Sequence, residues 1–134
     1  MKVLGLDGKT HIWDLLNHRV LGDDIRPRSE LHLRARALIK SLWPTEPLLE
    51  EIFLPGSVGL FADFFLPKRE LVIESQGEQH YKFTPHFHGD RAGFARAQRR
   101  DKNKQEWCKI NRFELIELPY NESDEQWLQR LKRQ

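Results

Sequence analysis

Acidic and polar side chains interrupt an otherwise apolar stretch of the chain, 59-GLFADFFLPKRELVIESQGEQHY-81. Asp63 lies in the middle of one hydrophobic run, Glu74 lies near the end of the next, and Gln76 and His80 follow. A carboxylate buried in a sheet is destabilising unless a cation compensates its charge. The pattern therefore predicts that basic side chains or a metal ion lie beside Asp63 and Glu74.

Asp63 and Glu74 are suited to bind Mg²⁺, or Mn²⁺ in its place. Magnesium prefers hard oxygen ligands, often one or two carboxylates, and takes water and substrate phosphate as its other ligands. Because a short turn at 67–70 joins the two runs, both carboxylates could reach one ion. Such an ion lowers the pKa of a bound water and neutralises charge on a phosphodiester during in-line displacement. These residues therefore predict metal-assisted phosphodiester hydrolysis.

The spacing of apolar residues predicts an α/β fold around this hairpin. Ser29 is a natural N-cap for a helix that Pro44 ends. After a small hairpin over 3–13 and this first helix, we expect three strands, a long helix, a strand and a closing helix. Their ranges are 49–55, 58–66 and 70–75 for the strands, 91–111 for the helix, 113–118 for the last strand and 124–133 for the closing helix, with a loop over 81–89.

A chain of 134 residues is expected to form one domain. We divide it into an amino-terminal ribbon (1–25), a catalytic core (26–120) and a closing helix (121–134). No apolar run approaches the ~18 residues of a membrane span, and the first residues lack the apolar segment of a secretory signal. The single cysteine excludes an internal disulfide and is typical of a reducing, intracellular setting. We therefore expect no membrane partner.

The basic residues are concentrated in two segments, although the net charge is only +2. Residues 82–112 carry nine basic against three acidic side chains, and residues 26–40 carry five against one. A solvated helix face has the same composition, but two basic segments beside an acidic hairpin also suit a polyanion such as DNA. Guanidinium groups can grip phosphate in a bidentate manner. The candidate DNA contacts are Arg91, Arg96, Arg99, Arg100 and Lys102.

Three segments together resemble the PD-(D/E)XK nuclease superfamily, in its branch related to very-short-patch-repair endonucleases. They are a helix glutamate, the strands 63-DFFLP-67 and 72-VIESQGEQHY-81, and the distal stretch 101-DKNKQEWCKINRFELIELPY-120. Within that branch the likeness is greatest to the phage homing endonucleases called EDxHD after their motif residues. The resemblance covers residues 26–120 and implies a restriction-endonuclease-like core, with a mixed sheet flanked by helices.

The resemblance also implies roles for single residues. The family's motif falls on Glu30, Asp63, His80 and Asp101. Ala62 stands where the superfamily name has proline, and the Glu-x-Lys half of the motif reads Glu74-Ser75-Gln76, so its lysine is missing. Gln76 could orient a water or contact phosphate but cannot act as a general base. Lys104 could substitute for the lysine, because it projects from the same side of its helix as Asp101. His80 could deprotonate the attacking water or assist the leaving group.

Each of these residues also has a structural interpretation. Asp63 could pair with an arginine, His80 could be an ordinary loop or core histidine, and Asp101 could form salt bridges within an arginine-rich helix. Glu30 could be a first-turn acid that is favoured by the helix dipole and pairs with Arg34. A zinc site at His86, His88 and Cys108 is disfavoured because only the two histidines have a short spacing.

The leading hypothesis is a metal-dependent DNA endonuclease whose products, as the resemblance implies, carry 5′-phosphate and 3′-hydroxyl ends. So small a core fits an enzyme that nicks, that selects DNA by structure, or that forms a homodimer to cut both strands. Two alternatives stay open: a DNA-binding or scaffold protein that kept the fold and lost turnover, and an RNA nuclease or resolvase of branched DNA. The likeness to phage proteins implies the cytoplasm of a bacterial host or phage-infected cell.

Overall fold

The computed structural model describes residues 1–15 and 28–132. Within these ranges the strands are β1 Lys2–Leu4, β2 Thr10–Ile12, β3 Leu49–Phe53, β4 Phe61–Leu66, β5 Leu71–Gln76 and β6 Glu114–Pro119. The helices are α1 Glu30–Leu42, α2 Pro85–His88, α3 Arg91–Ile110 and α4 Asp124–Lys132. Parts of the predicted ribbon and core (16–27) and the end of the closing helix (133–134) lie outside the described residues.

The four longer strands form one mixed sheet in the order β3-β4-β5-β6. β3, β4 and β5 are antiparallel neighbours, and β6 runs parallel to β5. Parallel neighbours need a crossover connection, which α3 supplies. The predicted α/β class and the predicted order of elements are confirmed. Because Phe64 pairs with Ile73, the same register sets Asp63 opposite Glu74 across the two central strands.

Apolar clusters cover both faces of this sheet. On one face, α1 and α4 pack through Ile39, Trp127 and Leu131. On the other face, α3 and the β1–β2 hairpin pack through Trp107 and Trp13. The Trp13 ring lies 5.2 Å from that of Trp107 between centroids, and Trp107 Nε1 donates a hydrogen bond to the carbonyl oxygen of Pro55 at 2.9 Å. These contacts hold α3 over the face of the sheet that carries Asp63 and Glu74.

The first helix begins where its capping signal predicts. The Ser29 side chain accepts a hydrogen bond from the backbone N–H of His32, and α1 starts at the next residue after the cap. The alternative pairing of Glu30 with Arg34 is wrong, because Arg34 Nε donates instead to Asp124 Oδ1 at 2.5 Å. This contact joins α1 to α4, an association that the sequence pattern did not predict.

The predicted loop over 81–89 contains the short helix α2. Pro85 occupies its first turn, and Gly89 ends it with a φ of 75°. Proline at the start and glycine after the end are the usual boundary residues of a helix, since proline presets φ and glycine tolerates a left-handed conformation. The prediction of a continuous loop over 81–89 was therefore wrong at 85–88.

Candidate functional site

Asp63 and Glu74 cross-link the two central strands through backbone groups. The Asp63 backbone N–H donates to Glu74 Oε2 at 2.6 Å, and the Ser75 backbone N–H donates to Asp63 Oδ2 at 2.9 Å. Ser75 Oγ also donates to Asp63 Oδ2, at 3.2 Å. Asp63 Oδ1 accepts no hydrogen bond from the residues that the structure describes. The Asp63 carboxylate is thus fixed in orientation while one of its oxygens is left for an ion or a substrate.

Lys104 is the cation that the buried carboxylates require. It projects from α3, and its Nζ donates to Glu74 Oε1 at 2.5 Å. Burial, and after it the charge of Asp63, raises the pKa of Glu74 to about 7, while Lys104 opposes this shift. Burial lowers the pKa of Lys104, but the Glu74 charge and hydrogen bond outweigh it, so that the net shift is upward. Lys104 therefore stays protonated at neutral pH.

A second charged pair lies beside the first. His80 ends a single 3₁₀ turn, Glu78–His80, that follows β5, and Asp101 lies three residues before Lys104 on α3. His80 Nδ1–H donates to Asp101 Oδ2 at 3.0 Å. The hydrogen bond to Asp101 raises the pKa of His80, and burial acts in the opposite direction. The imidazole therefore holds its proton to a higher pH than an ordinary histidine, and Nε2 is the nitrogen that Asp101 does not occupy.

Two adjoining clefts open beside these pairs. The α3 cleft has a volume of about 690 Å³ and is also lined by Phe61, Ala97 and Arg100. The α1 cleft has a volume of about 380 Å³ and is also lined by Arg28, Ser29 and His32. The residues common to both are Glu51, Asp63, Gln79, His80 and Lys104. A polymer chain could therefore pass from one cleft into the other over Asp63.

Gln76 faces a third cleft, which we call the amide cleft. Its volume is about 290 Å³, and it is lined by Gln76, Tyr81, Gln98, Lys102, Gln105 and Glu117 together with His80 and Asp101. Tyr81 Oη donates to Gln76 Oε1 at 2.7 Å, which fixes the orientation of the amide. Gln76 lines neither the α3 nor the α1 cleft. Its side chain therefore faces a different cleft from the ones that Asp63 lines, and His80 and Asp101 line both the α3 cleft and the amide cleft.

Glu30 also lies away from the predicted site. It is exposed in the first turn of α1 and lines none of the three clefts, whereas Ser29 and His32 line the α1 cleft. Successive residues of a helix are ~100° apart around its axis, so neighbours of an inward-facing residue can point outward. His32 is buried, and its Nε2 donates to Glu50 Oε1 at 2.6 Å.

Glu51 is a site residue that the sequence analysis missed. The β3–β4 register sets it opposite Asp63, and it lines both the α3 and the α1 cleft. Its φ of 47° is left-handed, a conformation that costs a non-glycine residue ~1–3 kcal/mol. Arg28 Nε lies 3.2 Å from its Oε1. No sequence pattern indicates a left-handed residue inside a strand. The pair of acids Glu50-Glu51 was the only feature of the sequence that drew attention to this position.

The basic residues of α3 differ in position. Arg100 lines the α3 cleft, and Lys102 lines the amide cleft. Arg91, Arg96 and Arg99 are exposed elsewhere on the helix, and the Arg91 guanidinium lies 4.4 Å from the centroid of the Phe83 ring. Of the five predicted DNA contacts, Arg100 is therefore the one beside the carboxylates.

The ligand groups of the site are few. Across residues 1–15 and 28–132, no three His, Cys, Asp or Glu side chains lie close enough together to hold a metal by themselves. Burial raises the pKa of the Cys108 thiol to about 12, which makes it a poor metal ligand. Among the described residues, an ion held here would depend on Asp63 and on an oxygen of Glu74.

Two viral proteins are similar to part of this chain. The "Uncharacterized protein 307L" of Invertebrate iridescent virus 6 is 44% identical over 69 residues, which are 52% of this chain and 35% of that protein. The "Uncharacterized protein 033L" of Invertebrate iridescent virus 3 is 40% identical over 58 residues, 43% of this chain and 30% of its own length. The matched segments thus span about a third of these relatives. No family model and no solved structure matches the chain. In its described part, no helix is long and apolar enough to cross a membrane.

Proposed function

We propose that this chain is a metal-dependent endonuclease that hydrolyses phosphodiester bonds in DNA to 5′-phosphate and 3′-hydroxyl ends. The observation that carries the proposal is the cluster of Asp63, Glu74 and Lys104 at the edge of a large cleft. Lys104 supports it most directly. The lysine that is absent from the Glu-x-Lys position is supplied by the helix, and its Nζ reaches Glu74 from there.

The arrangement of the elements supports a restriction-endonuclease-like core. The resemblance implies a helix, three strands, a helix and a strand with a mixed sheet, and these elements occur in this order, with the last strand parallel to the third. The carboxylates lie on the second and third of these strands, where the motif residues are expected. Fold alone does not fix function, so the proposal depends on the side chains.

The residues present fit a magnesium ion, or manganese in its place. Asp63 Oδ1 accepts no hydrogen bond from the described residues, and Glu74 offers Oε1, which it shares with Lys104. Magnesium usually takes one or two carboxylates and completes its shell with water and substrate phosphate, so two carboxylates from the described residues are enough for it. When bound, the ion would supply Lewis-acid charge and lower the pKa of a bound water.

Lys104 and His80 have separate roles in the proposed reaction. Lys104 is protonated at neutral pH, so it is placed to stabilise negative charge on the phosphoryl oxygens rather than to act as a base. His80 keeps a proton through its bond to Asp101, which suits a general acid. As water attacks phosphorus and the P–O3′ bond breaks, His80 Nε2 donates its proton to the leaving O3′. Glu74 already accepts hydrogen bonds from Lys104 and from the Asp63 N–H, so its role would be to hold the ion and Lys104, and the attacking water releases its proton to the solvent.

The alternative of a DNA-binding protein without turnover rested mainly on the missing lysine. The contact of Lys104 with Glu74 weakens that argument, because it supplies the charge that Gln76 lacks. An RNA nuclease or branched-DNA resolvase would share the chemistry and differ in the shape of its substrate. The cytoplasm of a bacterial host or phage-infected cell stays a prediction.

The test is conversion of supercoiled plasmid to nicked and linear forms with Mg²⁺ or Mn²⁺. Asp63→Asn keeps an acceptor for the Ser75 N–H and removes the charge, so it should fold, retain DNA binding and lose cleavage by at least ~100-fold. Glu125→Ala removes an exposed carboxylate of α4 and is the matched control. Equal cleavage by wild type and Asp63→Asn would refute the assignment. A predominance of linear product at early times would indicate a homodimer, and accumulation of nicked product a monomer.

A further inference from the structure

We propose that the amide cleft binds one unpaired nucleobase next to the scissile phosphate and that Gln76 reads its edge. This inference rests on the proposed nuclease function and adds the substrate class: a nucleic acid with an unpaired nucleotide beside the cleaved bond. The cleft lies outside the reactive cluster of Asp63, Glu74 and Lys104 but shares its His80–Asp101 wall with the α3 cleft.

The Gln76 side chain is built for recognition rather than for solvent. It is only 6% exposed, and the hydrogen bond from Tyr81 Oη to its Oε1 fixes the orientation of the amide. Its Nε2 donates to no group in the part of the chain that the structure describes, and the residue lines the amide cleft. Because this amide nitrogen opens on the cleft and no described group accepts its hydrogens, it can donate to an acceptor on a ligand. Every nucleobase offers acceptors along its edges.

The rest of the cleft fits the size and chemistry of a single base. Its volume of about 290 Å³ is close to the lower end of the ~300–1,000 Å³ of ligand pockets and is sufficient for a single base. The Tyr81 ring is 48% exposed and can stack on a base. Gln105 Nε2 donates to Glu117 Oε1 at 3.0 Å, which leaves the Gln105 carbonyl oxygen as an acceptor in the wall.

The position of the amide cleft beside Asp63, and the need for a base to enter it, together define the substrate. Since His80 and Asp101 line both clefts, a base in the amide cleft belongs to a nucleotide adjacent to the phosphate at Asp63. A base that is stacked and paired in a duplex cannot enter such a pocket without leaving the helix. Single strands and duplexes with a bulged nucleotide would therefore bind better than fully paired duplexes.

The experiment measures binding by fluorescence anisotropy in EDTA, so that no cleavage occurs. The probes are a fully paired labelled DNA duplex, the same duplex with one bulged nucleotide, and the same bulge with an abasic sugar in place of the base. Wild-type protein should bind the bulged base at least ~10-fold more tightly than the abasic bulge, since stacking and one hydrogen bond are lost with the base. This comparison needs no variant, so a folding defect cannot obscure it.

Two variants then assign the effect to Gln76. Gln76→Leu should lose most of the discrimination between base and abasic site, and Tyr81→Phe should lose part of it, because the amide is no longer fixed. The control Gln129→Leu changes an exposed glutamine of α4 and should keep the full discrimination between base and abasic site. Equal binding of the base and abasic bulges by wild type, or full discrimination by a folded Gln76→Leu, would overturn the proposal. If the protein discriminates between base and abasic site but does not cleave plasmid, base binding in the amide cleft is supported and only the nuclease function is refuted. If it cleaves plasmid but does not discriminate, the nuclease function is supported and base binding is refuted.

Discussion

Replacement of Lys104 by methionine should destabilise the protein by an amount that grows with pH. Methionine retains most of the apolar length of lysine and removes its charge, which leaves the buried Glu74 carboxyl without its cation. In the wild type the pKa of Glu74 is about 7, and Lys104 opposes its rise. The pKa of Glu74 should therefore be higher still in Lys104→Met.

The sign and size of the effect follow from the protons that each state binds. Between its usual pKa of 4.5 and about 7, folded Glu74 keeps a proton that the unfolded chain has lost, so the unfolding free energy falls as pH rises. In the wild type this fall ends as Glu74 ionises beside Lys104. In Lys104→Met the unfolding free energy continues to fall, by ~1.4 kcal/mol per pH unit, for as long as the Glu74 carboxyl stays protonated. At ~pH 8.5 the extra loss is therefore ~2 kcal/mol relative to the loss in acid.

The assay is urea unfolding in EDTA at ~pH 5.5 and ~pH 8.5. Glu74→Gln and the double variant complete a mutant cycle, and Lys109→Met removes an exposed lysine of the same helix as a control. With glutamine at 74, Lys104→Met should cost nearly the same at both pH values. A loss in the single variant that is independent of pH, or that is equally pH-dependent in the Glu74→Gln background, would refute the reasoning.

Three further perturbations test other contacts. Asp101→Asn should lower the pKa of His80, as measured by NMR titration of the ring protons, because the carboxylate charge is removed and only a weaker, neutral acceptor is left for Nδ1–H; an unchanged pKa would contradict the assigned pair. Arg100→Ala should weaken DNA binding and reduce its log–log salt slope by about one, whereas Arg91→Ala should have less effect because Arg91 lies over Phe83 and not in the α3 cleft. Trp107→Phe should cost ~1–3 kcal/mol in thermal unfolding, since the Pro55 carbonyl loses its donor and the ring leaves a void; a loss under ~0.5 kcal/mol would show that this anchor is dispensable.

The placement of Asp63 opposite Glu74 was accessible from the sequence because it depends on local rules. Two apolar runs with alternating side chains and a short turn between them specify an antiparallel pair, and the turn length limits the register. The same holds for α1, whose start is specified by Ser29. The need for a cation beside the carboxylates followed from the energetics of buried charge alone.

Gln76 and Glu51 show what the sequence could not specify. Gln76 shares a strand face with Glu74, but β5 ends at Gln76, and the hydroxyl of Tyr81 from the following turn decides where the amide points. Glu51 lies opposite Asp63 in the β3–β4 register and has a left-handed φ inside its strand. Both outcomes depend on conformations and contacts that form only when the tertiary structure is complete.

One helix positions both charged pairs of the site. Asp101 and Lys104 are three residues apart on α3, so they project from the same side, one toward His80 and the other toward Glu74. Trp107 continues this series by three residues and is fixed to the Pro55 carbonyl. A displacement of α3 would therefore lengthen the His80–Asp101 and Glu74–Lys104 contacts together. Because the lysine is carried by this helix, the general acid and the charge-stabilising group of the proposed reaction both depend on how α3 packs on the sheet. A lysine on β5 would not couple them in this way.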